Sequence, residues 1–274
     1  MNILVTGANG NIGKYIVQYF SKDYNVIPLN KRDLDVSNTE NLLEKIESKK
    51  PDIIIHTAGI SDIDLCERDE TTAYKVNTLG SLNISKACAY LNIPLVYLST
   101  SYVFNGKKSS PYNEGDYCDP INTFGKTKLA AEKLIRTICK KHYIIRTSWI
   151  FGGYNCYIKK IVKDNPQIIL STNEIISPTY IEDLCSSMDI IMNKGSYGIF
   201  NCVNSNYSSK IDVLSFVIET SRIKKKVVEI PKEYLNDLTP RPKFTALSTD
   251  LIEKEYNIKL PSWQERIYDY ISKL

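Results

Sequence analysis

From its third residue the chain repeats one pattern: a short run in which nearly every residue is apolar, then a longer stretch of helical period. The runs are 3–6, 26–29, 53–56, 95–98 and 143–147, and the helical stretches between them are 11–21, 39–48, 70–91 and 122–140. A strand with one wet face alternates apolar and polar residues, whereas a strand apolar throughout is buried on both faces. Strands of that kind, separated by helices, lie parallel with helices packed on each side of the sheet. The pattern predicts an α/β protein on a Rossmann-type, doubly wound parallel sheet.

After Trp149 the pattern loosens. Helices are expected over 154–163, 180–193 and 210–221, strands over 167–170, 199–203 and 227–230, and two helices at the end. We expect residues 1–150 to form an NAD(P)-binding domain. Residues 151–274 would form a small α/β substrate lobe with the C-terminal helices, and one or two elements would return to the main sheet. No stretch is rich enough in Gly and Ser to act as a flexible linker.

The first strand runs into Thr6-Gly7-Ala8-Asn9-Gly10-Asn11-Ile12-Gly13, where a helical pattern begins. Gly-x-x-Gly-x-x-Gly between strand and helix gives a tight turn, lets backbone approach a pyrophosphate and allows the helix to pack closely on the strand. Gly7, Asn9, Gly10, Asn11, Ile12 and Gly13 are therefore candidate dinucleotide contacts. The second strand ends in Asn30-Lys31-Arg32. An acidic residue there would hold an NAD ribose. Two cations suit a 2′-phosphate, which favours NADPH over NADH, although both also read as surface charges of a loop. Asp35 and Val36 are placed to meet the adenine, and Asp35 equally reads as a turn residue. Ala58 and Gly59 follow the third strand, small residues where backbone passes near a ligand. His56 before them reads as a packed neutral histidine, and Asn77 as a polar brace beside the cofactor.

The formal charge of +4 is mild and its lysines are scattered, which argues against a nucleic-acid partner. Apolar runs fall well short of the ~18 residues a membrane span needs. Seven cysteines without a C-x-x-C pair, and only two histidines, speak against a zinc site. A start directly in a strand leaves no room for a signal peptide, so a reducing cytoplasm is expected. Glu182 and Asp183 read as helix-start residues as readily as interface or metal-bridging groups.

Two further segments carry chemistry: Ser99-Thr100-Ser101-Tyr102-Val103-Phe104 at the end of the fourth strand, and Phe124-Gly125-Lys126-Thr127-Lys128 opening a long helix. With the glycine turn, Arg146-Thr147-Ser148-Trp149, Ser177-Pro178-Thr179-Tyr180 and Arg241-Pro242, they resemble the dTDP-4-dehydrorhamnose reductase family of extended short-chain dehydrogenases/reductases over essentially the whole chain. The resemblance implies NAD(P)H-dependent reduction of the 4-keto group of a nucleotide-linked deoxysugar. It places Thr100 on the substrate oxygen, Lys128 on the nicotinamide ribose and Trp149 in the sugar pocket, with Ser101, Val103 and Phe104 beside the substrate. It also leaves room for a homodimer.

Two positions depart from the family. Ser101 stands for an aspartate, and Phe124 for the tyrosine of Tyr-x-x-x-Lys, whose hydroxyl would donate the proton. One helical turn separates positions 124 and 128, so a lysine there acidifies such a phenol. Phenylalanine keeps the ring and loses the proton, and general acid catalysis supplies about 10²–10⁴-fold. Water or Thr100 would make up part of the loss. Three expectations follow: a reductase in which Phe124 is an inactivating change or a variant with another donor, a non-catalytic NADP(H)-binding partner subunit, and a nucleotide-sugar epimerase or dehydratase.

Overall fold

Six parallel strands form the central sheet of this computed structural model, which describes residues 1–154, 156–164, 167–170, 174–224, 226–229 and 239–274. In chain order the elements are β1 (Asn2–Thr6), α1 (Asn11–Phe20), β2 (Asn25–Leu29), α2 (Leu42–Glu47), β3 (Ile53–His56), α3 (Ile63–Arg68), α4 (Glu70–Ala73), α5 (Gly80–Leu91), β4 (Leu95–Thr100), α6 (Thr123–Ile138) and β5 (His142–Thr147). Then come β6 (Ile150–Phe151), α7 (Tyr157–Asp164), β7 (Gln167–Leu170), β8 (Ile175–Ile176), β9 (Thr179–Tyr180), α8 (Ile181–Lys194), β10 (Gly198–Asn201), β11 (Ser208–Ser209), α9 (Lys210–Ser221), β12 (Lys226–Glu229), α10 (Asp250–Tyr256) and α11 (Trp263–Ser272).

The sheet order is β2-β1-β3-β4-β5-β10. The chain winds outward from β1 to one edge, then crosses back and winds to the other. Loops leaving β1 and β3 therefore diverge and open a crevice at the carboxyl ends of these strands. The continuous apolar runs are explained by burial on both faces. Ile3, Val5, Ile53, Ile55, Val96 and Leu98 pack on one side with Ile16 of α1 and Ile181, Leu184 and Met188 of α8. Leu4, Ile54, Leu95 and Tyr97 pack on the other with Ile84 of α5 and Ala131 and Ile135 of α6. Each such aliphatic side chain contributes about 1.5–3 kcal/mol of burial energy.

The five expected strands of the first half are present, and β4 runs two residues further, to Thr100. From the second half, β10 pairs with β5 and α8 covers the sheet. A separate cluster built on Phe151, Tyr180, Leu214, Trp263 and Ile267 joins β6, β9, α9 and α11.

Local departures have local causes. The expected helix over 39–48 is only Leu42–Glu47, because Asn41 takes the left-handed conformation (φ 55°) just before it. A helix not anticipated, α3, is capped by Asp62, whose carboxylate accepts from the Leu65 N–H at 2.9 Å. The stretch 70–91 is not one α-helix, since residues Tyr74–Leu79 form a π-helical segment. Helix α7 begins at Tyr157 rather than 154, β10 stops at Asn201, and Ile230 of the expected 227–230 strand lies outside the described residues. Among the described residues no helix is long and apolar enough to cross a membrane, and no group of His, Cys, Asp and Glu could hold a metal ion.

Candidate active site

The β1–α1 turn supplies one wall of a cleft of about 410 Å³, to which Gly10, Asn11, Ile12 and Gly13 contribute. Gly7 has φ +70°, and a Cβ there would stand 2.6 Å from the Ala58 backbone nitrogen, so the turn holds β1 against the end of β3 only because position 7 is glycine. Helix α1 starts at Gly10 without a side-chain cap and with no acidic residue in its first turn. Its N-terminal N–H groups and dipole thus present positive potential at the crevice, an environment suited to phosphate.

The other expected cofactor contacts fall into three groups. Gly59 lines the cleft, while Ala58 packs against Gly7. Asn9, Lys31 and Arg32 are exposed outside the cleft lining, and Asn30 folds its own turn, its Oδ1 accepting from the Arg32 N–H at 2.8 Å. Asp35, Val36 and Asn77 are occupied within the fold. Asp35 accepts from the Ser37 N–H and hydroxyl at 2.9 and 2.7 Å, bonds that hold its carboxyl below the usual range, so it is a turn residue here. Val36 is buried against Gly80. Asn77 accepts from the Ile60 N–H at 2.7 Å and donates to the Ile60 carbonyl and Thr127 Oγ1, bracing the loop after β3 from behind. His56 is buried, paired with Thr6 Oγ1 at 2.6 Å and Ser81 Oγ at 3.0 Å, and burial pushes it down to about 3, so it stays neutral.

The second wall comes from the ends of β4, α6 and β5. Thr100, Ser101, Phe124, Lys128 and Trp149 all line the cleft. Asn122 caps α6, accepting from the Gly125 N–H at 2.9 Å, and a Cβ at Gly125 would stand 2.1 Å from the Tyr102 carbonyl oxygen. The glycine therefore lets α6 seat directly on the turn that follows β4. Lys128, one helical turn beyond Phe124, donates from Nζ to the Leu98 carbonyl at 2.7 Å and lies 4.1 Å above the Tyr97 ring. Burial lowers its pKa to about 7. Trp149 adopts φ +30°, a strained setting for a bulky residue of the kind found where a fold fixes a site side chain. Ser101 Oγ and Thr147 Oγ1 are buried in this wall without a hydrogen-bond partner in the protein, which fits a ligand rich in oxygen.

Two expected substrate contacts are corrected. Val103 and Phe104 have no exposed surface. They pack with Tyr112, Leu129, Val203 and Leu247, so they support the turn and touch nothing in the cleft.

The sequence reading missed a buried clamp beneath this wall and a polar cluster across from it. In the clamp, Arg146 of β5 grips Glu132 of α6 through Nε and Nη2 at 3.0 and 2.6 Å, and Ser99 of β4 donates to the same carboxylate at 2.5 Å. In the cluster, the Tyr102 hydroxyl donates to Glu174, whose other oxygen lies 3.6 Å from Lys210 Nζ, and Arg241 pairs with Asp64 at 2.8 Å. Tyr102, Glu174, Lys210 and Arg241 all face the cleft. Tyr102 and Arg241 lie in segments quoted for the family resemblance. Nothing local marks Glu174 or Lys210.

A family model described as RmlD substrate binding domain matches residues 1–274. The chain belongs to that family. A spore coat polysaccharide biosynthesis protein, SpsK of Bacillus subtilis, is 30% identical, with 99% of this chain and 97% of the relative covered. A crystal structure of a dTDP-4-dehydrorhamnose reductase from Clostridium acetobutylicum superposes with a TM-score of 0.93 at 30% identity, covering 100% of this chain and 99% of that one. The Bacillus anthracis dTDP-4-dehydrorhamnose reductase in complex with NADP gives 0.94 at 28% identity over the same shares. Membership of the RmlD family agrees with the parallel sheet and with the resemblance seen in the sequence.

Proposed function

We propose that this chain reduces the 4-keto group of a dTDP-linked deoxysugar with NADPH. The observation that carries the reading is one cleft joining the β1–α1 turn to Thr100, Lys128 and Trp149. Bound NADPH would supply the hydride. The N–H groups of α1 would hold its pyrophosphate, and Lys128, anchored on the Leu98 carbonyl, would hold the nicotinamide ribose. Thr100 would hydrogen-bond the sugar oxygen, the Ser101 and Thr147 hydroxyls would take polar groups of the ligand, and Trp149 would pack on the sugar ring. We assign residues 151–274 to the substrate side, since Glu174 and Lys210 reach the cleft from there.

The test is loss of reduced-nicotinamide absorbance with a dTDP-4-keto-6-deoxysugar. The reading requires turnover that depends on both compounds. NADPH binding without turnover, in wild type and in Phe124→Tyr alike, would leave a non-catalytic binder. Product formed without net cofactor consumption would indicate an epimerase.

A further inference from the structure

We infer that Tyr102 is the proton donor of this reductase, with Glu174 holding its hydroxyl, in place of the hydroxyl that position 124 lacks. The inference rests on the reductase reading above. Among the described residues lining the cleft, Tyr102 is the one phenol. Its ring stands edge-on to Phe124, with centroids 6.0 Å apart, and its backbone N–H donates to Thr100 Oγ1 at 3.2 Å. The ring thus stands beside Phe124, and its backbone is tied to the threonine assigned to the substrate oxygen. The close seat of α6 on the Tyr102 carbonyl, which only glycine at 125 permits, keeps it there.

Other groups in the wall suit the task less well. Lys128 is turned to the Leu98 carbonyl and the Tyr97 ring. An aliphatic hydroxyl such as that of Thr100 is a far weaker acid than a phenol, whose reference pKa is about 10. The groups set around Tyr102 keep it protonated and pull its acidity in opposite directions. Burial, and then the charge and hydrogen bond of Glu174, hold the phenol well above its ordinary value, while Arg241 opposes them. The donor therefore stays protonated through neutral pH. Lys210, beside the far oxygen of Glu174, and Asp64, paired with Arg241, balance the cluster.

In the step, the carbonyl carbon gains the hydride and its electron pair from the reduced nicotinamide, and the carbonyl π pair moves onto oxygen. The Tyr102 O–H bond breaks as its hydrogen turns from Glu174 to that oxygen, and a new O–H bond forms on the sugar. Lys210 keeps the released Glu174 carboxylate paired, and the positive charge of Arg241 favours the phenolate. The phenolate then regains a proton from water entering the cleft. The sum is ketone, hydride and proton to alcohol.

The experiment measures kcat, NADPH affinity by fluorescence and the pH profile on the full chain. Tyr102→Phe should lower kcat by about 10²–10⁴-fold while NADPH affinity holds, and adding Phe124→Tyr to it should restore much of the rate. Glu174→Gln removes the negative charge that raises the phenol, so the alkaline limb of its pH profile should move to lower pH. The phenol titration, read as the ultraviolet difference between a Tyr102-containing and a Tyr102→Phe protein, should move with it. The inference is overturned if Tyr102→Phe keeps kcat within a few-fold, if its affinity for NADPH falls in step with kcat, or if Glu174→Gln leaves the limb in place. A wild type that is inactive until Phe124→Tyr is made would overturn it and leave the reductase reading standing. Inactivity of both proteins would remove that reading as well.

Discussion

The two walls of the cleft are built in opposite ways. The β1–α1 wall comes from consecutive residues, and its binding groups are mainly backbone N–H at a helix start, so what it needs from side chains is chiefly their absence at Gly7. The facing wall is gathered from β4, α6 and β5 together with Glu174 and Arg241, and it works through side chains held by long-range contacts such as Tyr102 with Glu174, 72 positions apart. A wall of the first kind is inherited with the strand-turn-helix unit. A wall of the second kind can exchange one group for another while the scaffold stays put, and position 124 lies in that wall.

If that contrast is sound, the side-chain wall should fail when its support is cut. Arg146 and Glu132 are buried together, and Glu132 also takes the Ser99 hydroxyl. Arg146→Leu would leave that carboxylate buried without its cation and should lower unfolding stability by about 3–5 kcal/mol in urea titrations. Replacing both partners by leucine should recover much of the loss, because the desolvation cost of the pair disappears as well. A loss below about 1 kcal/mol for Arg146→Leu would mean the wall holds its shape without the clamp.

Lys128 lies in the side-chain wall, and its titration sharpens the comparison. Burial lowers its folded pKa to about 7, below the value of about 10.4 in an unfolded chain. Between those values the unfolded state binds the extra proton. The contribution to stability is therefore full above the unfolded pKa, is lost as pH falls through the window, and stays lost below the folded pKa. Lys128 should add up to about 1.4 kcal/mol per pH unit of positive slope to stability from pH 7 to 10. Lys128→Met should remove that slope in chemical unfolding at several pH values. An unchanged slope would mean that the lysine is hydrated in solution and that the wall is more open than its packing indicates.

Legibility in the sequence follows the same division. The sheet could be read because burial on both faces makes Ile3, Leu4 and Val5 apolar together, a signal that needs no partner. The glycine turn could be read for the same reason. Asp62 was readable as a helix cap, accepting from a backbone N–H three residues on, and would have announced α3. Tyr102 stood within the quoted segment, but its role depends on a carboxylate that only the folded chain brings to it. The family resemblance put Val103 and Phe104 beside the substrate. The turn after β4, residues Ser101–Val103, sends Val103 and Phe104 into the core instead.

The smallest expected effect lies at the edge of the backbone wall. Lys31 and Arg32 are exposed in the turn after β2, where Asn30 accepts from the Arg32 N–H and Asp33 accepts from the Asn30 N–H at 3.0 Å. The turn is formed by these bonds whatever charge the two side chains carry, so replacing them should leave stability unchanged. If they meet a 2′-phosphate, Lys31→Ala and Arg32→Ala should each reduce the preference for NADPH over NADH by about fivefold or less, because exposed charges act through water. The effect should shrink further as salt is raised, since a Debye length is only about 8 Å at physiological ionic strength. Paired affinity measurements for the two cofactors at low and high salt decide the matter. A preference that stays the same in both variants would make the cations ordinary surface charges and leave cofactor choice to groups deeper in the crevice.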